Sequence, residues 1–227
     1  DVGLKIAEVE ANDTLLGEAL MLRGEALYHQ NRYREALRDF TRRQQLATAY
    51  LDRLAEAEAW MWVGETYLNL DSFQDAVQAF DEAFAQWQAL GLEPQKAQSM
   101  LRKGKALAAQ QDNADARLAY ITALKIARRS FAAGETALAY LQLGFLYLEI
   151  QEFGLARQHL RNALLHFEKG RADEDRAMCY KGLAQIGIAE KKYAIALDDA
   201  QIGLHLAQET GSRSLTMDFY LLLGDIM

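Results

Sequence analysis

The sequence predicts an all-α fold built from repeated helical hairpins, and three observations lead to that class. Proline occurs once in 227 residues, at Pro94, while 51% of the chain is hydrophobic, a composition that favours helices around a large core. Small residues recur every 40 positions, as in a repeat array; these anchor residues are Gly24, Gly64, Gly104, Gly144, Ala184 and Gly224. A large apolar residue precedes each anchor by four positions: Leu20, Trp60, Met100, Tyr140, Tyr180 and Tyr220.

Each period predicts two helices separated by a turn. In the second period, apolar residues at helical spacing predict a first helix over residues 57–70 and a second over residues 74–90. Asp71 and Ser72 supply a turn and cap signal between them, and Gly91 with Pro94 ends the second helix. Similar breaks predict turns elsewhere, at residues 30–31, 111–113, 133–134, 151–152, 170–175, 190–191 and 210–212.

The register also predicts the repeat boundaries. Five repeats cover residues 14–53, 54–93, 94–133, 134–173 and 174–212. Residues 1–12 match the tail of an upstream second helix, and residues 213–227 match the first helix of a further repeat. The chain is therefore expected to be one array and a slice of a longer protein. Apolar residues at both ends predict a homodimer or end-to-end association through the terminal half-repeats: Leu4, Ile6, Phe219, Leu221, Leu222 and Leu223.

Small residues are expected to bring the two helices of each repeat together. Twelve residues after each of the first five anchors comes an alanine: Ala36, Ala76, Ala116, Ala156 and Ala196. Sixteen residues after each anchor, a larger side chain is expected to fill the space between neighbouring hairpins: Phe40, Phe80, Tyr120 and Leu160. The fifth repeat departs from this pattern with Gly187 and Ala200, which predicts looser packing or a wider groove there.

This pattern resembles that of the tetratricopeptide repeat family. The second repeat carries it as Trp60, Val63-Gly64, Tyr67, Ala76, Phe80 and Ala83, and the fourth as Tyr140, Leu143-Gly144, Tyr147, Ala156, Leu160 and Ala163. The resemblance covers essentially the whole chain. It implies a right-handed α-α superhelix of about 5.5 hairpins, in which the first helices line a concave groove that binds ligands. The period of 40 residues is longer than the family's usual length of about 34, which is expected to lengthen both helices.

Composition and motifs exclude several classes of function. A net charge of −7 disfavours direct binding of nucleic acid, and no apolar run reaches the roughly 20 residues of a membrane span. A single cysteine, Cys179, cannot form an internal disulfide, so a cytoplasmic location is expected. Neither a phosphate loop nor a nucleophile motif is found. His159 and His166 lie two helical turns apart without further ligands. We therefore expect no catalytic site, metal site or cofactor.

Candidate binding residues follow from the groove implied by the resemblance. Positions just before and after each anchor on the first helices are unusually apolar, and an exposed apolar strip usually marks a binding site. Tyr28 and His29 also occupy such positions. The residues selected as the candidate site are Met21, Glu25, Met61, Trp62, Glu65, Leu68, Asn69, Leu101, Arg102, Lys105, Leu141, Phe145 and Leu148. For each of them the alternative is a role in packing between repeats, and Trp62 is expected to contribute most to binding.

Charge is unevenly distributed along the predicted groove. Residues 54–95 contain no Lys or Arg and eight acids, while residues 96–129 contain eight basic residues and two acids. Either the two segments neutralise each other laterally, or they orient a polar-ended ligand. Only Arg102 matches the lysine and asparagine pattern by which the family binds carboxyl-terminal chaperone tails, so such a receptor is not expected.

The sequence favours a noncatalytic interaction module. Its expected partner is a protein or peptide, bound in the groove as a peptide or amphipathic helix. The alternative function is a ligand- or peptide-sensing regulatory domain of a larger bacterial signalling or transcription protein.

Overall fold

A computed structural model describes residues 13–167 and 172–226, and eleven α-helices account for most of this part of the chain. The all-α class predicted from the sequence is confirmed. The helices are α1 (Asp13–His29), α2 (Tyr33–Ala49), α3 (Arg53–Asn69), α4 (Phe73–Leu90), α5 (Glu93–Ala109), α6 (Asn113–Arg129), α7 (Ala133–Glu149), α8 (Phe153–Phe167), α9 (Asp173–Ala189), α10 (Tyr193–Glu209) and α11 (Arg213–Ile226). The predicted tail over residues 1–12, with Leu4 and Ile6, lies outside the described residues.

The chain divides into two compact units, of which the first ends at Ile126 and the second begins at Ala127. In the first unit, α1 to α5 pack each against the next helix in sequence. In the second unit, α7 to α11 do the same, and α9 also contacts α11. No helix in the described ranges is long and apolar enough to cross a membrane. The predicted repeat boundaries, and the prediction that the chain is one slice of a longer array, stay predictions.

Helix starts recur every 20 residues because the turns that the structure describes share one backbone structure. One residue per turn has a positive φ, at positions 31, 51, 71, 91, 111, 131, 151, 191 and 211. The next residue donates its N–H to the carbonyl five residues back, as Arg32 does to Leu27 at 2.9 Å, which is the helix-ending Schellman bond. Its own carbonyl then accepts hydrogen bonds from the first turn of the following helix, here from the N–H groups of Glu35 and Ala36. One residue therefore ends one helix and begins the next.

Two details of the second repeat differ from the prediction. Helix α3 begins at Arg53, four residues before the predicted start and in the same 20-residue register as the other helices; the Asp52 carboxylate caps it by accepting a hydrogen bond from the Ala55 N–H at 3.1 Å. Ser72 precedes α4, but its side chain makes no capping hydrogen bond. Gly91 ends α4 in the left-handed conformation, with φ of 70°, as predicted.

The anchor glycines lie beneath the side chain sixteen residues further along the chain. A Cβ atom added to Gly24, Gly64 or Gly104 would come within 2.5 Å of the ring of Phe40, Phe80 or Tyr120 respectively, and one at Gly144 within 2.7 Å of Leu160. The rings therefore fill space inside their own hairpins as well as against the neighbouring one. Phe40, for example, also packs with Val63 and Ala79 of the second hairpin. The alanines twelve residues after the anchors are fully buried, as expected.

The fifth repeat reverses this arrangement. Ala184 replaces the anchor glycine and Ala200 replaces the ring, and both are completely buried. The extra methyl group on one helix thus accompanies the loss of bulk on the other. Phe219 of α11 supplies a ring to the same apolar cluster, where it lies against Gly203. Phe219 and Leu222 are buried, whereas Leu221 is exposed.

Replacing Gly64 with alanine is expected to destabilise the fold by about 1–3 kcal/mol, despite the higher helix propensity of alanine, because the new methyl group overlaps the Phe80 ring. Chemical denaturation would measure this loss. Gly134→Ala is the matched control, since nothing lies within 4 Å of a Cβ there. Gly64→Ala should also stop destabilising the protein in a Phe80→Ala background. A Gly64→Ala variant as stable as the wild type would contradict the proposed contact.

Replacing Leu51 with glycine is expected to stabilise the protein by about 0.5–1 kcal/mol. Leu51 adopts φ of 56° while its side chain is 86% exposed, so the left-handed backbone costs energy that little packing offsets. Thermal unfolding would measure the gain, with Leu51→Ala as the control that removes the side chain but keeps the strain. An equal shift in both variants would show that backbone strain is not the cause.

Candidate functional site

The candidate site of the first unit lies on the first helices α1, α3 and α5, and Trp62 is at its centre. The Trp62 ring stacks on Phe40, with centroids 5.3 Å apart and planes 16° apart. It also meets Tyr28 edge-on at 5.3 Å and His29 at 6.4 Å. Trp62 is half-buried, so it packs against Phe40 while part of its surface stays exposed. We name Tyr28, His29, Trp62, Glu65, Asn69 and Arg102 the first-helix face.

Polar contacts join the three helices of the first-helix face. The Asn69 amide donates to the Tyr28 hydroxyl at 2.7 Å and to the Glu65 carbonyl at 2.9 Å. The Glu65 carboxylate pairs with the Arg102 guanidinium at 2.7 Å. Burial and the nearby Glu65 charge raise the pKa of Tyr28, so its hydroxyl stays protonated at neutral pH. These bonds fix the side chains before any ligand arrives.

Some charged side chains on and near the first-helix face form ion pairs, and others do not. Besides Glu65–Arg102, the acidic and basic segments pair through Asp81 and Lys103, whose atoms lie 2.7 Å apart. Lateral neutralisation, one of the two alternatives, therefore accounts for these pairs. Glu25 on α1 and Lys105 on α5 make no hydrogen bond or ion pair within residues 13–167 and 172–226. An unpaired acid and an unpaired base thus remain on the outer two helices.

Several predicted site residues instead contribute to packing. Leu68, Leu101 and Leu141 are only 9%, 7% and 3% exposed, which corrects their assignment to an open groove. Apolar side chains at these positions face the adjoining helices because the hairpins stack there. Met61 is half-buried, and its sulfur accepts a hydrogen bond from the buried Ser99 hydroxyl at 3.3 Å. Met21 is half-buried against the cluster that contains Phe40 and Val63.

The second unit presents different chemistry at the matching positions. Phe145 occupies the position of Glu25 and Lys105, and a Cβ on Gly182 would come within 3.4 Å of its ring. Phe145 and Leu148 are half-buried. The predicted site residues of this unit are therefore entirely apolar, whereas those of the first unit combine aromatic and charged groups.

His159 and His166 take part in an aromatic stack. The ring centroid of His159 is 5.2 Å from that of Tyr147 and 5.8 Å from that of Tyr140. The His166 ring stacks on Tyr140 with centroids 5.7 Å apart. The Nδ1 atom of His159 is buried without a hydrogen-bond partner in the described part of the chain, and burial lowers the pKa of the imidazole. No cluster of three or more potential metal ligands occurs among the residues with described positions. Burial, with a contribution from Asp175, raises the pKa of Cys179 to about 12, which makes the thiol unreactive at neutral pH.

Two features were missed at the level of sequence. One is the bond from Asn69 to Tyr28, which depends on the rotation of one hairpin relative to the next. The other is a cavity of about 600 Å³ between α1 and α2. Arg23 and Asp39 both line this cavity. The Arg23 guanidinium donates two hydrogen bonds of 2.6 Å to the Asp39 carboxylate. The arginines of α2, visible in the sequence, were the signal that could have predicted a charged cavity beside this helix.

The fold and the repeated contacts define the class: the protein is a tetratricopeptide-like helical repeat protein. Residues 55–129 match the family model described as Tetratricopeptide repeat, which confirms the resemblance predicted from the sequence. No curated protein sequence matches the chain significantly.

Solved structures similar to this chain include bacterial Rap proteins. The apo form of RapI aligns with a TM-score of 0.82 and 18% identity, over 92% of this chain and 76% of RapI. Aspartyl phosphate phosphatase F from Bacillus subtilis aligns with a TM-score of 0.86 and 17% identity, over 96% of this chain and 58% of that protein. A third similar structure is the Rap conjugation gene regulator of the plasmid pLS20 in complex with the Phr* peptide. It aligns with a TM-score of 0.79 and 16% identity, over 94% of this chain and 59% of the regulator. The chain spans 58% to 76% of the length of these proteins, and identities this low show a shared fold alone.

The second of these proteins is named as a phosphatase, so membership of the fold class does not by itself decide whether a protein is catalytic. The expectation that this chain is not an enzyme stays a prediction.

Replacing His159 with glutamine is expected to reduce the loss of stability in acid. Because folding lowers the pKa of His159 below its ordinary value of 6.5, the unfolded state binds the proton more readily, and the free energy of unfolding falls as pH drops below about 6.5. The difference between wild type and variant should therefore change between about pH 7.5 and 5.5, by at most about 1.4 kcal/mol per pH unit. Urea denaturation across this range measures it. His205→Gln, at an exposed position, is the control; an identical change there would contradict the assignment.

Proposed function

We propose that this chain is a noncatalytic peptide-binding module, and that the first-helix face of its first unit holds the peptide. The observation that carries the proposal is the half-buried Trp62 side chain, which lies within a row of hydrogen-bonded polar side chains on three successive first helices. An aromatic anchor surrounded by fixed polar groups is the usual composition of a binding hot spot. The peptide complex of the structurally similar conjugation regulator supports a peptide as the ligand class.

The geometry supports an extended segment of modest length or one face of an amphipathic helix. Neighbouring first helices lie about 10 Å apart, so the row from α1 to α5 spans about 20 Å. An extended chain advances about 3.3 Å per residue, so about six or seven residues cover this distance. The unpaired Glu25 and Lys105 flank the row, and a peptide with a basic group at one end and an acidic group at the other complements both.

A regulatory role is the second candidate. The structurally similar proteins include a conjugation gene regulator bound to a peptide and the quorum sensor NprR from B. thuringiensis in its apo form. These similarities favour a peptide-sensing regulatory domain of a larger bacterial protein. Such a sensor changes conformation when its peptide binds, whereas a scaffold holds its partner without that change.

Fluorescence anisotropy with a panel of labelled seven-residue peptides would test the proposal. Each peptide carries an apolar centre with lysine and glutamate at its ends, in one order or the other. Trp62→Ala is expected to weaken the best peptide by about 2 kcal/mol, or roughly 30-fold, because the anchor contact is lost. Trp62→Phe should retain most of the affinity. Lys105→Glu should weaken the preferred charge order and reduce the salt dependence of association.

Circular dichroism on each variant separates loss of binding from loss of folding, since Trp62 also stacks on Phe40. Affinity unchanged by Trp62→Ala, with helicity retained, would move the peptide away from the first-helix face. Small-angle scattering with and without the best peptide would separate the two candidates, because only the sensor is expected to change its dimensions.

A further inference from the structure

The second unit contains a cavity of about 450 Å³ that is formed by different helices from those of the first-helix face. Helix α9 forms its floor, and the second helices α8 and α10 form its two walls. We name it the α8–α10 cavity. Its lining residues are Arg157, Arg161, Leu164, Tyr180, Leu183, Gly187, Lys192, Ile195 and Asp199.

The cavity coincides with the missing side chain at Gly187. The matching positions of the first four repeats carry large residues, namely Leu27, Tyr67, Leu107 and Tyr147. Gly187 instead allows α9 to approach α10 closely, since an added Cβ would come within 2.8 Å of the Ala196 Cβ. At the matching position of the first repeat, Leu27 lines the cavity between α1 and α2, so Gly187 differs in offering no side chain to the α8–α10 cavity. For the fifth repeat, the sequence predicted looser packing or a wider groove, and this stays a prediction.

One cation and one acid in this cavity have no hydrogen-bond or ion-pair partner among the described residues. Arg157 and Lys192 both bind the Glu190 carboxylate, at 2.5 and 2.9 Å. Arg161 on α8 and Asp199 on α10 make no hydrogen bond or ion pair to any residue of the described structure. Burial raises the pKa of Asp199, and the positive charge of Arg161 opposes that shift. The two groups are thus near enough to influence each other, yet each retains its full bonding capacity.

The rest of the lining is mainly apolar. Leu164 and Leu183 are buried, Tyr180 is half-buried, and Ile195 is exposed at the rim. An apolar floor with a few separate polar groups is the usual composition of a small-molecule site, and the volume falls within the usual range of about 300–1,000 Å³.

We propose that the α8–α10 cavity binds a free α-amino acid with a large apolar side chain. The guanidinium of Arg161 donates to the ligand carboxylate, and the carboxylate of Asp199 accepts from the ligand ammonium group. The apolar side chain of the ligand lies on Tyr180 and Leu183. A residue inside a peptide has neither charge on its backbone, so this ligand class differs from the one proposed for the first-helix face.

Isothermal titration calorimetry with L-phenylalanine tests the site directly. Two analogues separate the charges: 3-phenylpropionate lacks the ammonium group, and phenethylamine lacks the carboxylate. Each analogue is expected to bind at least about tenfold more weakly than L-phenylalanine, because one charged partner is left unpaired. No binding of L-phenylalanine up to about 10 mM, or equal binding of all three compounds, would overturn the proposal.

Three variants assign the binding to this cavity. Arg161→Gln is expected to abolish the preference for L-phenylalanine over phenethylamine, and Asp199→Asn the preference over 3-phenylpropionate. Lys191→Gln, in the exposed turn before α10, makes the same charge change as Arg161→Gln and should leave affinity intact. An L-phenylalanine affinity unaffected by both cavity variants would overturn the assignment.

Trp62→Ala provides the comparison with the peptide site. It should leave L-phenylalanine binding unchanged while lowering the affinity for the labelled peptides. A parallel loss of both ligands would contradict the independence of the two sites.

Discussion

The contact between each anchor glycine and the side chain sixteen residues later determines how the helices of a repeat pack. Because a Cβ at Gly24, Gly64 or Gly104 would come within 2.5 Å of a ring atom, the ring can lie flat against the backbone of the first helix. The identical turns keep these two positions in register. Their Schellman bonds make one residue both the end of one helix and the start of the next. This packing sets which face of each helix is turned toward its partner in the hairpin.

Sequence periodicity was sufficient to predict the helices and the core residues, because each hairpin uses the same packing contacts. The spacing of Gly64 and Ala76 places both at a helix contact regardless of what binds the surface. The bounds of α3 were harder to predict, since its start follows from the preceding turn, in which the Asp52 N–H donates to the Ala47 carbonyl, rather than from hydrophobic spacing. Even the irregular fifth repeat was visible in Gly187 and Ala200, whose compensation by Ala184 preserves a buried contact.

The site was less predictable because the register gives the helix face but not the depth of burial. Leu68 and Leu101 occupy groove positions by register, yet the neighbouring hairpin covers both. Likewise, the charge counts allowed lateral neutralisation or an oriented ligand, and the structure contains both kinds of group. Glu65 and Arg102 are paired, whereas Glu25 is not paired within the described part of the chain. Distances across hairpins decide such cases, and they depend on side-chain conformations that periodicity does not specify.

The hairpins of the two units pack in the same way but present different side chains at their surfaces. In the first unit, Leu27 lines the cavity between α1 and α2, together with the paired Arg23 and Asp39 side chains. In the second unit, Gly187 occupies that position and the α8–α10 cavity lies beside it. A substitution that would merely weaken an isolated helix by about 1 kcal/mol is tolerated here because α9 and α10 pack more closely around it. The same register position therefore lines a cavity in each unit, with an apolar side chain at Leu27 and bare backbone at Gly187.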